Sequence, residues 1–125
     1  MTPFDVVTRY LVHRNFFTRT RCMYPAFLPT RSLQTSVFGV SGITEAEIWG
    51  IGKEVAKQRS LTLYGRGDVS SSYIQAINLS LEIDNTPRLH ANIIDWPEKK
   101  VEQQQRAIKL ANKSNLILIP ANNPH

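Results

Sequence analysis

Cysteine is almost absent from this 125-residue chain: Cys22 stands alone, which excludes an internal disulfide and suits a reducing cytosol. A single cysteine of this kind packs as a small apolar residue more often than it acts as a nucleophile. Long apolar runs are missing too. The longest, at residues 116–120, is far short of the roughly 20 residues that cross a bilayer, so no membrane association is expected. The first residues lack the charged segment and apolar stretch of a secretory signal, which points to a cytoplasmic protein. Histidine is scarce, with three in the chain, and none is spaced from His90 as a second metal ligand would be, so neither a metal nor a cofactor is expected. There is no internal repeat, no low-complexity segment and no Gly-x-Ser-x-Gly elbow, which leaves a hydrolase triad without a sequence signature.

Acidic residues are also unevenly missing. Residues 1–31 hold Arg9, Arg14, Arg19, Arg21 and Arg31 against the single acid Asp5, whereas the remaining residues nearly balance, so most of the formal charge of +5 sits in the N-terminal quarter. Such a cluster attracts phosphates or an acidic protein partner. It reads equally as a solvated face. The Arg-rich, acid-poor start is also shared by organellar transit peptides, but here Phe16, Phe17, Tyr24, Pro25 and Phe27 run on into the body of the domain.

What remains describes one α+β domain over residues 1–120, with a flexible tail at 121–125 and a mostly antiparallel sheet of four to five strands packed on two to three helices. Residues 1–31 are expected to be helical and then irregular. Phe4, Val7, Leu11 and Phe16 fit a helix over residues 4–17, and Pro25 and Pro29 then break any period. A strand follows at residues 33–40. Thr44-Glu45-Ala46-Glu47 is a capping box, with Ile43 and Ile48 at the hydrophobic-staple positions, and predicts a helix over residues 45–58. Within it Gly50 and Gly52 are unfavourable unless something packs closely there. Residues 61–64 alternate as a strand that Gly65-Arg66-Gly67-Asp68 interrupts as a turn. Ser70 to Ser72 caps a short helix. Strands at 79–83 and 88–94 form a hairpin across the Asp84-Asn85-Thr86-Pro87 turn. Pro97 opens a helix reaching residue 112, with Val101, Ile108 and Ala111 inward, and residues 116–119 make a last strand.

The segment with most chemical potential is His90-Ala91-Asn92-Ile93-Ile94-Asp95-Trp96-Pro97. Strand alternation projects His90 and Asn92 to one face and Leu89, Ala91 and Ile93 to the other. Asp95 then falls beside a helix N-terminus. A histidine able to exchange a proton, an amide donor and an orienting acid together suit phosphoryl or acyl chemistry, with His90, Asn92 and Asp95 as catalytic candidates. Arg66 and Arg88 are the candidate anion contacts for a nucleotide or phosphorylated substrate. The same residues also have structural readings: Asp95 as a helix cap, Trp96 as core, His90 as a half-buried hydrogen-bonded side chain. Arg9, Arg14, Arg19, Arg21 and Arg31, with aromatics between them, are the candidate nucleic-acid contacts. Three functions are therefore open: an accessory protein contacting nucleic acid or an acidic partner, a small enzyme at the His90 segment, and one half of a toxin and antitoxin pair.

In order along the chain, Ser36-Val37-Phe38, Gly42 to Trp49, Leu63-Tyr64-Gly65-Arg66 and His90 to Pro97 resemble small bacterial proteins of unassigned function. The resemblance implies a bacterial setting and a mobile-element or defence neighbourhood, and it assigns no catalytic residue.

Overall fold

The structure, a computed structural model, describes residues 2–120; the tail expected at 121–125 lies outside them. The chain is α+β. Six strands, β1 (Val6–Leu11), β2 (Thr35–Gly39), β3 (Gly65–Ser70), β4 (Ser80–Ile83), β5 (His90–Ile94) and β6 (Asn115–Leu118), make one sheet in the order β4-β5-β2-β1-β3-β6, antiparallel at every pairing. Three helices accompany it: α1 (Glu45–Gln58), α2 (Ser71–Ala76) and α3 (Lys100–Lys113). No helix among the described residues is long and apolar enough to cross a membrane.

The strand beyond the four to five expected is β1, and it replaces the N-terminal helix. Val6-Val7-Thr8-Arg9-Tyr10-Leu11 is rich in β-branched and aromatic residues, which favour a pleated surface. It lies near the middle of the sheet with both faces covered: Val7 and Leu11 join the larger core cluster, Tyr10 the smaller one. A strand buried on both faces loses the polar alternation that marks a half-exposed one, and short apolar runs then pass for helix. Gly65-Arg66-Gly67-Asp68 is no turn but the first part of β3, paired with β1 on one side and β6 on the other, while residues 61–64, expected as a strand, form the irregular chain leading into it.

Alternation along β1 and its neighbours sorts the core into two layers. One face carries Val7, Leu11, Val37, Val69, Ala91 and Ile93 and is covered by α2, α3 and the connection containing Ala26 and Phe27. On the other face Tyr10, Phe38, Val40 and Leu89 pack with Ile48 of α1. Helix α1 runs over the bounds expected, with Thr44 Oγ1 accepting from the Glu47 amide at 3.2 Å; the Glu47 carboxylate accepts from the Thr44 hydroxyl rather than from its backbone. Gly52 has the close neighbour its presence implied. A Cβ there would sit 2.5 Å from the Tyr10 ring, whose hydroxyl donates to the Ile48 carbonyl at 2.6 Å.

Helix α3 differs from expectation in start and rotation. It begins at Lys100 rather than at Pro97, and the Lys99 side chain makes no cap hydrogen bond. Ala107, Leu110 and Ala111 are buried, whereas Val101 and Ile108 face outward. The small alanines let the helix approach closely, which larger β-branched residues on that side would prevent. Trp96 is core, its Nε1 donating to the Ile93 carbonyl at 3.0 Å.

Candidate functional site

Helix α1 covers only part of its sheet face. Past its C-terminus the outward residues of β2 and β5 are half-buried, and they include Ser36, His90 and Asn92. Two cross-strand registers assemble them. Pairing of β2 with β5 sets Ser36 opposite Asn92 and Phe38 opposite His90. His90 is thus the diagonal neighbour of Ser36, within reach of a ring. Pairing of β4 with β5 sets Ile83 opposite Ala91, and continuing that register by one step brings Asp84 across from His90.

The result is a chain of three side chains. Ser36 Oγ lies 2.8 Å from His90 Nε2, and His90 Nδ1 lies 2.7 Å from Asp84 Oδ1. The hydrogen bond from His90 and a second from the Thr86 amide, at 3.1 Å, hold the Asp84 carboxyl below the usual carboxylate range. An ionised carboxylate only accepts. In a neutral imidazole the proton therefore sits on Nδ1, which leaves the Nε2 lone pair aimed at the Ser36 hydroxyl.

The turn between β4 and β5 fixes this geometry. The Asn85 amide donates to the His90 carbonyl at 2.9 Å, the His90 amide to the Pro87 carbonyl at 2.9 Å, and the Leu89 amide to Asn85 Oδ1 at 2.6 Å. Leu89 takes a left-handed conformation, φ 70°. It therefore departs from the alternation expected of it: it packs with Phe38 and Tyr10 on the His90 side, not with Ala91 and Ile93. The Phe38 ring meets the His90 ring edge-on at 5.2 Å and supports it from the apolar side.

In front of Ser36 and His90 opens a hollow of about 190 Å³, walled by Phe38, Val55 and Pro87 and bordered by Gln58 and Arg59 from the end of α1. From behind, Arg9 reaches the same strand. Its Nη1 donates to the Ser36 carbonyl at 3.1 Å and its Nε to the Ala26 carbonyl at 2.7 Å. Burial, and then repulsion from Arg59, pull the Arg9 guanidinium down to about 10.

Comparison with protein-family models, with curated proteins and with solved structures finds no match to this chain. The site is therefore read from its geometry alone.

Several expected site residues lie elsewhere. Asp95 follows the end of β5 in left-handed backbone, φ 67°, and is exposed. It is five residues from His90, about 17 Å along an extended strand, too far to orient the imidazole, and with α3 starting at Lys100 it does not cap that helix either. Arg66 is three strands from β5, about 14 Å across the sheet. It is 3% exposed, paired through both NH groups with the Glu45 carboxylate at 3.1 and 3.0 Å and through Nε with Asp68 at 3.1 Å, and its guanidinium lies 4.8 Å over the Trp49 ring. Arg88 is exposed and reaches Glu47 at 3.4 Å. Of the five N-terminal arginines Arg9 is a structural tie, Arg14 stacks 5.0 Å over the Tyr64 ring, and Arg19, Arg21 and Arg31 are exposed. Cys22 is buried, and desolvation first of all pushes its thiol up.

Ser36 and Asp84 are the residues that sequence reasoning left out of the site. For Asp84 the local signal was misleading: a turn at residues 84–87 sets Ile83 across from Arg88, whereas five residues, 85–89, separate Asp84 from His90 in the observed register. For Ser36 there was none, because it depends on β2 pairing with a strand more than fifty residues away.

Proposed function

We propose that this chain is a small serine hydrolase, with Ser36 as nucleophile, His90 as general base and acid, and Asp84 as the residue that positions His90. The observation that carries this reading is the Ser36–His90–Asp84 chain at 2.8 and 2.7 Å, with the hydroxyl beside an open hollow. Ser36 Oγ attacks an ester carbonyl while its proton passes to His90 Nε2. The carbonyl oxygen takes up the electron pair, and the side-chain amides that could donate to it are those of Gln58, which lines the hollow, and Asn92, the cross-strand neighbour of Ser36. Collapse expels the alcohol, which receives the proton from His90, and water then releases the acyl group by the same route.

A fluorophosphonate probe tests this directly. The full chain is expected to gain one adduct, located on Ser36 by peptide mass spectrometry, to lose it in Ser36→Ala, and to acquire it at least about a hundredfold more slowly in His90→Ala. A folded protein, judged by circular dichroism, that leaves Ser36 unlabelled removes the reading.

A second reading attaches to α3. Arg31 shares a hollow with Glu98, Lys100 and Gln103 near the start of that helix, where the two bases outnumber the acid, and Arg21 one with Ile108 and Asn112 near its end, about 18 Å apart along its axis. That spread of cations suits a nucleic-acid backbone. Fluorescence anisotropy with a labelled single-stranded oligonucleotide should show affinity falling with salt, with the slope reduced by about 0.7 for each of Arg21→Gln and Arg31→Gln. Absence of binding at low salt, or a slope unmoved by both changes, removes it.

A further inference from the structure

We infer that the hollow in front of Ser36 is built for a substrate carrying an anionic group, a carboxylate or a phosphate, which Arg59 receives while the apolar body of the substrate rests on Phe38, Val55 and Pro87. This rests on reading Ser36 as the reacting residue, and it names the substrate class.

The ionisable side chains that line the hollow are Arg59 and His90, and the Asp84 carboxylate beyond His90 is engaged by its ring at 2.7 Å. Among the described residues Arg66, Arg88 and His90 each face a carboxylate within ion-pair distance, and Arg59 forms no such pair. No acidic side chain lines the hollow. Behind its floor stands a second guanidinium, that of Arg9, tied to the Ser36 carbonyl. Two cations that repel one another across a concave, partly apolar wall raise the local potential and draw in an anion, which relieves that repulsion. Arg59 is also the residue that ends α1, so its backbone is fixed by bonds to the Val55 and Ala56 carbonyls at 3.3 and 3.2 Å, and its side chain starts from a defined place.

Shape and chemistry agree. The hollow has room for about six waters, and Val55, Gln58 and Pro87 continue into a neighbouring depression of about 130 Å³ that Ile51 extends and that Glu54 and Arg88 border, whereas Arg59 and Ser36 do not line it. An aryl or short acyl group fits there, with the scissile bond at Ser36 and the charge at Arg59. A planar guanidinium accepts carboxylate and phosphate alike, so the experiment separates the two.

The test is a titration of the isotope-labelled full chain with phenylphosphonate, phenylacetate and neutral benzyl alcohol, followed by NMR. The acids are expected to shift the resonances of Ser36, His90 and Arg59 and to bind at least about tenfold more tightly than the alcohol. The tighter of the two names the anion. Arg59→Gln should bring the favoured acid back to the affinity of the alcohol, and Arg59→Lys, which keeps the charge, should retain part of the preference. If neither acid outbinds benzyl alcohol, or if Arg59→Gln leaves the preference intact, the inference is overturned, whether or not Ser36 takes up the fluorophosphonate. Arg59-dependent binding without Ser36 labelling leaves the anion site standing and removes the hydrolase.

Discussion

Replacing Asp84 by Asn should slow the reaction of Ser36 with a fluorophosphonate by about a hundredfold or more. In an enclosed triad the equivalent change costs about ten-thousandfold; Asp84 is 43% exposed, so water partly replaces it and the loss is smaller. The cause is a reversed tautomer. A carboxylate at 2.7 Å can only receive the Nδ1 proton, whereas an amide turned to donate to Nδ1 favours the Nε2–H form, which presents a proton rather than a lone pair to Ser36. Labelling time courses with a fluorophosphonate measure the rate, and nitrogen chemical shifts of His90 report the tautomer. A rate within about threefold of the parent, with the tautomer reversed, removes Asp84 from the mechanism.

The same substitution has a signature in acid. Asp84 has its folded pKa depressed by the hydrogen bonds from His90 and the Thr86 amide. A depressed carboxyl contributes stability above its unfolded value, about 3.9, and that contribution disappears as pH falls through the lower folded value. The acid limb of the stability curve below about pH 4 should therefore be shallower in Asp84→Asn than in the parent, read by urea midpoints across pH.

Gly67→Ala should destabilise the fold by about 1–3 kcal/mol, the cost of forcing one methyl into a packed interior. A Cβ at Gly67 would lie 2.6 Å from Cys22 Sγ and 3.5 Å from the Phe27 ring. Cys22 is buried and Phe27 wholly so, so neither has solvent to yield into. Cys22→Ala removes the nearer atom. In urea unfolding the double variant should consequently lose less stability than the two single changes together, a positive coupling of about 0.5 kcal/mol or more. Additive losses would place the strain elsewhere in β3.

This glycine also shows where local patterns mislead. Gly-Arg-Gly-Asp carries turn chemistry in every local respect, yet it forms a strand next to β1, because Gly67 must admit the Cys22 sulfur and Arg66 points to the opposite face to meet Trp49 and Glu45. The requirement arises from residues more than fifteen positions away. The N-terminal strand was obscured for a related reason. Arg9 suggested a wet face, but its charged head is satisfied by the Ala26 and Ser36 carbonyls inside the fold, so polarity along β1 does not report exposure.

Local chemistry in the sequence determined the α+β class, the bounds of α1 through its Thr44 cap and helical spacing, the β4–β5 hairpin through its turn residues, and His90 and Asn92 as side chains sharing one strand face. Each depends on neighbours a few residues apart, where backbone geometry alone dictates the outcome. Tertiary structure decided the rest. It made the first apolar segment a strand by burying both of its faces, enclosed Arg66 between acids, and gave His90 its partners, Ser36 through the β2–β5 register and Asp84 in place of Asp95 through the β4–β5 register. Register is set by which strands become neighbours and which faces they bury, a property of the whole sheet that no short stretch of sequence contains.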